Sequence, residues 1–100
     1  MKKVAIISRK SNQTDAFMVA VEMRKEKGEM PYDVKLILHP AFKEAVDEFA
    51  PDFAILGPET IVWQKEITDY LQSKNIPFLL AKGSHFATRQ VEAIFGLIKL

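Results

Sequence analysis

Eight consecutive residues, Ser8-Arg9-Lys10-Ser11-Asn12-Gln13-Thr14-Asp15, hold three hydroxyls, two amides and two cations. They follow a short apolar run, Val4-Ala5-Ile6-Ile7, and lead into residues that favour helix. A loop between a buried strand and a helix N-terminus offers unpaired backbone N–H groups and the positive end of the helix dipole, so it favours an anion, most often phosphate. On the functional reading this is a phosphate cradle: Ser8, Ser11, Asn12, Gln13 and Thr14 supply contacts, and Arg9 or Lys10 neutralises charge. On the bland reading the same residues are ordinary caps, since the loop lacks the glycines that let backbone approach a phosphate closely. Both readings stand on this segment alone.

Two further segments carry candidate groups. In Gly57-Pro58-Glu59-Thr60 the glycine turns the chain and the proline suits the start of a helix. Glu59 then either complements that helix's dipole or acts as a catalytic carboxylate, although no second titratable partner is obvious nearby in sequence. In Lys82–Thr88, His85 could reach the ligand side of the fold, whereas His39 reads as a surface or capping residue. Neither histidine belongs to a metal-ligand spacing, so no metal is expected. The chain has no cysteine, which removes disulfides, zinc fingers, iron-sulfur clusters and thiol nucleophiles together.

The elements that must position these groups follow from hydrophobic pattern. The chain is 100 residues, room for one compact domain over 1–100 that buries about 65% of its unfolded surface. Apolar runs near 4–7, 34–38, 53–56 and 77–80 alternate with amphipathic stretches. The first run is continuous, as expected of a parallel strand covered on both faces. Helix is expected from about Asn12 to Lys27, with Asn12 as cap and Gly28 as stop. Phe42, Ala45, Val46 and Phe49 mark a second helix closed by Pro51, and Trp63, Ile67, Tyr70 and Leu71 mark a third. Val91, Ile94, Phe95 and Ile98 mark the last.

Such an alternation implies right-handed crossovers and an α/β fold: a three-layer, open, four-stranded parallel sheet in the order 2-1-3-4 with helices on both faces. Its switch point lies between the first and third strands, where the loops after them meet. A receiver domain is excluded, because Ser8, Arg9, Leu56 and Gly57 stand where its acidic residues would be. A flavodoxin is excluded by length. With a net charge of +1 and interspersed signs, no nucleic-acid partner is expected. No apolar run approaches the roughly 18 residues of a membrane span, and the chain is expected to be cytoplasmic.

Asp52-Phe53-Ala54-Ile55-Leu56-Gly57-Pro58-Glu59 resembles the aspartate, apolar strand and Leu-Gly-Pro-Gln of the IIB components in the lactose/cellobiose branch of the bacterial phosphoenolpyruvate-dependent sugar phosphotransferase system. Asn75-Ile76-Pro77-Phe78 is similar to the Gly-Ile-Pro-Val that leads into that family's last strand. Ala81-Lys82-Gly83, the closing helix and the opening Met1–Ile7 also fit, so the resemblance spans essentially the whole chain. It implies the Rossmann-like IIB fold and a phosphocarrier between a IIA protein and the IIC sugar permease, with membrane contact only through IIC. It implies no cofactor, and phosphate as the ligand. Family members end the first strand with the cysteine that carries phosphate; here Ser8 stands there, and Arg9-Lys10-Ser11-Asn12-Gln13 replaces a loop of small residues. A serine hydroxyl with no base beside it is a poor nucleophile. The expectation is therefore either a divergent IIB member, with Ser8 at the catalytic position, or a non-catalytic or regulatory paralogue. The alternative is a stand-alone phosphate-binding or protein-interaction module unrelated to sugar uptake.

Overall fold

The computed structural model describes residues 1–98, so the last two positions of the expected domain lie outside the described residues. Four strands, β1 (Lys2–Ser8), β2 (Tyr32–Leu38), β3 (Phe53–Leu56) and β4 (Phe78–Leu80), form one parallel sheet in the order β2-β1-β3-β4, as the pattern predicts. In β1 the residues Val4 to Ser8 are all buried, and so is the whole of β3. That is why both read as unbroken apolar runs.

Alternation along β1 divides the core between two layers. Val4 and Ile6 pack beneath α1 (Asn12–Glu26), α4 (Gly83–Ala87) and α5 (Val91–Phe95), against Phe17, Val21, Phe86, Val91 and Ile94. Ala5 and Ile7 face α2 (Phe42–Phe49) and α3 (Gln64–Ser73), against Phe42, Val46, Ile67 and Leu71. Phe17 and Phe86 stack at 4.4 Å and fasten α4 to α1.

The structure departs from expectation at three boundaries. The cap of α1 is Ser11, one residue before Asn12, because the Ser11 hydroxyl accepts from the Thr14 N–H at 3.1 Å. The helix ends as expected, with Gly28 at φ 71°. Residues Pro58–Trp63 form a 3₁₀ helix ahead of α3, where a single longer helix would fit the Trp63 spacing. The segment after β4, to which the pattern assigns no helix, contains the five-residue α4, and the closing helix stops at Phe95, short of Ile98. One turn with one buried residue, Phe86, is too short to show a periodicity.

Candidate functional site

The site lies at the carboxyl ends of β1 and β3, the switch point of this strand order. Ser8 is the last residue of β1 and points to the same side as Val4 and Ile6, toward α1. It is 0% exposed. Its backbone carbonyl accepts from the His39 N–H at 2.9 Å, and the Gly57 N–H donates to the neighbouring Ile7 carbonyl at 2.9 Å. These two bonds hold the ends of β2, β1 and β3 in line. Gly57 is required by packing: a Cβ there would stand 2.5 Å from the Ser8 Oγ and 3.0 Å from the Ser8 Cβ. Its φ of −67° is open to any residue, so crowding alone excludes a side chain.

Four side chains meet in front of Ser8. The Ser8 and Thr14 hydroxyl oxygens are 2.9 Å apart. The Ser11 hydroxyl donates to Glu59 Oε1 at 2.5 Å, and the Thr14 hydroxyl donates to the same oxygen at 3.1 Å. Arg9 closes the group with its guanidinium 2.9 Å from Glu59 Oε2. An ionised carboxylate only accepts, so the single Thr14 proton is spent on Glu59 and Ser8 must donate to Thr14. The result is a directed chain from Ser8 through Thr14 to the Glu59 carboxylate.

Glu59 corrects the expectation drawn from its neighbours in sequence. It sits in the first turn of its own 3₁₀ helix, yet its carboxylate, 16% exposed, crosses to the N-terminus of α1. The partners it lacks in sequence are Ser11, Thr14 and Arg9, between 45 and 50 positions away. The signal was present in the topology: β1 and β3 are adjacent, so a residue just past β3 falls beside the loop that follows β1. Ser8 likewise has a carboxylate within two hydrogen bonds, where the sequence showed no base.

The remaining candidates divide. Lys10 faces Asp15 at 3.8 Å with both side chains largely exposed, an arrangement worth little. Asn12 and Gln13 take no part in the hydroxyl and carboxylate cluster, although their N–H groups lie in the first turn of α1, where no acceptor exists within the helix. Pro58, with Gly57, Leu56, Ile61, Leu80 and Lys82, lines a groove of about 340 Å³ beside the site. His85 lies in α4, its Nδ1 buried and without a partner among the described residues, and no bond joins it to the cluster.

His39 is not the surface residue expected. Its side chain is 9% exposed, stacks on Trp63 at 4.3 Å and on Phe42 at 5.7 Å, and places Nε2 2.9 Å from Glu66 Oε1. It belongs to the α2 and α3 side of the sheet, opposite Ser8. Among the described residues no cluster of three or more His, Cys, Asp or Glu side chains gathers, and no helix is long and apolar enough to cross a membrane.

The architecture is thus an open parallel α/β sheet in the order 2-1-3-4 with a polar cluster at its switch point, and its fold is similar to that of a phosphotransferase IIB domain. Among solved structures, the chain is similar to the lactose-specific IIB component domain of the phosphoenolpyruvate:carbohydrate phosphotransferase system from Streptococcus pneumoniae. The TM-score is 0.70 at 14% identity, over 90% of this chain and 85% of that one. No family model and no curated protein matches the sequence.

Proposed function

We propose that this chain is a IIB-like member of the lactose/cellobiose branch of the sugar phosphotransferase system that has kept a docking scaffold for IIA and IIC proteins and does not itself relay phosphate. The observation that carries the reading is Ser8. It stands at the end of β1, is fully buried, and has its hydroxyl engaged with Thr14. Phosphoryl transfer needs a nucleophile that the donor can reach in line. A hydroxyl with no exposed surface offers an external donor no in-line approach. The fold likeness supports the scaffold half of the reading.

The test is incubation of the full chain with phosphoenolpyruvate, the general phosphotransferase proteins and a lactose-type IIA protein, followed by intact-mass analysis and NMR mapping of IIA binding. The expected result is an unchanged mass together with amide shifts around the carboxyl ends of β1 and β3. A mass gain of one phosphoryl group that disappears in Ser8→Ala overturns the non-catalytic half of the reading. An absence of any IIA-dependent shift overturns the docking half and leaves a stand-alone module as the better description.

A further inference from the structure

The helix α1 is apolar on two sides. Phe17 and Val21 face the sheet and are buried, as a helix laid on a sheet requires. On the opposite side Ala16, Val19, Ala20 and Met23 follow the spacing i, i+3, i+4, i+7 and form a second stripe, in which Val19 is 59% and Met23 53% exposed. The outward face of such a helix is ordinarily polar. Val19 and Met23 stand as a ridge between two shallow hollows. One, of about 460 Å³, is bordered by Asp15, Glu22 and Glu26 and reaches Leu36 of β2. The other, of about 380 Å³, is bordered by Arg89 from the connection between α4 and α5. Lys27 lies on this second margin, one turn beyond Arg24, which faces α5 through its ion pair with Glu92. The stripe therefore has acid along one side and base along the other. Among the described residues Glu22, Glu26, Lys27 and Arg89 form no ion pair.

We infer that this face of α1 is a self-association surface, on which a second copy of the chain packs about a two-fold axis parallel to the helix. Charge complementarity selects this occupant. Such an axis lays the apolar stripes of the two copies on each other at equal heights and exchanges left for right, so the acidic margin of each copy meets the basic margin of the other. Arg89 then stands opposite Glu22, and Lys27 opposite Glu26. An antiparallel pairing of the same stripes sets acid against acid. The small side chains of Ala16 and Ala20 leave room for Val19 and Met23 of the second copy. An interface one helix wide suits a weak, reversible dimer. The face lies on the solvent side of α1, apart from the polar cluster at Ser8, and the inference does not depend on docking to a IIA protein.

Sedimentation equilibrium of the full chain between about 10 µM and about 1 mM tests it, and the expected result is a monomer–dimer equilibrium. Val19→Glu sets two new charges in each dimer against apolar surface and should weaken association about tenfold or more. Met23→Glu does the same on the other half of the ridge, which keeps the test decisive where circular dichroism shows the first variant to be poorly folded. Arg89→Glu should weaken association about fivefold or more, and adding Glu22→Arg to it should restore most of the loss. A chain that stays monomeric at about 1 mM overturns the inference. So does a dimer that both ridge variants leave intact, and so does a charge reversal at Arg89 that Glu22→Arg fails to rescue.

Discussion

Replacing Gly57 by alanine would place a methyl group 2.5 Å from the Ser8 Oγ, 3.0 Å from the Ser8 Cβ and 3.5 Å from the Phe86 Cζ. The first two are overlaps and the third is ordinary contact. Overpacking of a rigid interior costs about 1–3 kcal/mol. Against this, alanine restricts the unfolded chain and stabilises by about 0.4–1 kcal/mol where the native φ suits it. The φ of −67° does suit it. The net expectation is a loss of about 1–2 kcal/mol, a fall in melting temperature of roughly 4–16 °C for a domain of this size. Ser8→Gly removes both overlapping atoms. In that background Gly57→Ala should be neutral or slightly stabilising, giving a coupling of about 1–3 kcal/mol between the two positions. Urea unfolding of the four proteins, followed by far-ultraviolet circular dichroism, measures it. If Gly57→Ala costs the same in both backgrounds to within about 0.5 kcal/mol, Ser8 is not what excludes a side chain at Gly57, and the packing argument for the site is wrong.

Three other expectations concern separate parts of the molecule. Ser11→Ala removes the cap of α1 and one donor to Glu59, and should lower stability by about 1–2 kcal/mol in chemical denaturation; a change below about 0.3 kcal/mol would refute the capping role. Phe86→Ala, which takes a fully buried ring out of the stack on Phe17, should cost about 3–5 kcal/mol by thermal unfolding, and a loss under about 1 kcal/mol would mean that α4 is not anchored as described. The Tyr70 hydroxyl donates to Asp47 at 2.6 Å; this bond, ahead of other effects, raises the Tyr70 pKa above 10.0 and lowers that of Asp47 below 3.8. The Tyr70 contribution is present below the ordinary tyrosine pKa and fades as pH rises through the raised folded value, while that of Asp47 is present above 3.8 and fades as pH falls through the lowered one. Asp47→Asn should therefore bring the Tyr70 midpoint down in an ultraviolet titration, and an unmoved midpoint would show that the bond does not form in solution.

How legible these features were depended on whether they are local. The strands were readable because β1 and β3 are buried on both faces, which leaves only apolar residues to fill them. Their order followed from connection length and handedness. The cap of α1 was displaced by one residue because Ser11 and Asn12 are both good caps, and only the bond to the Thr14 N–H distinguishes them. The site was half legible. Ser8, Ser11 and Thr14 announce themselves by type and spacing, whereas the role of Glu59 depends on a contact spanning 45 to 50 positions that no local pattern encodes. The burial of His39 is hidden from local sequence for the same reason: the rings that cover it, Phe42 and Trp63, come from two other elements.

The 3₁₀ helix has a mechanical consequence. Within six residues it sends Glu59 to the α1 side of the sheet and Trp63 to the α2 and α3 side, where the indole lies on His39. It works as a splint clamped at both ends across the tip of the sheet. The one short element thus ties the β1–α1 loop to the turn at His39 on opposite faces of the sheet.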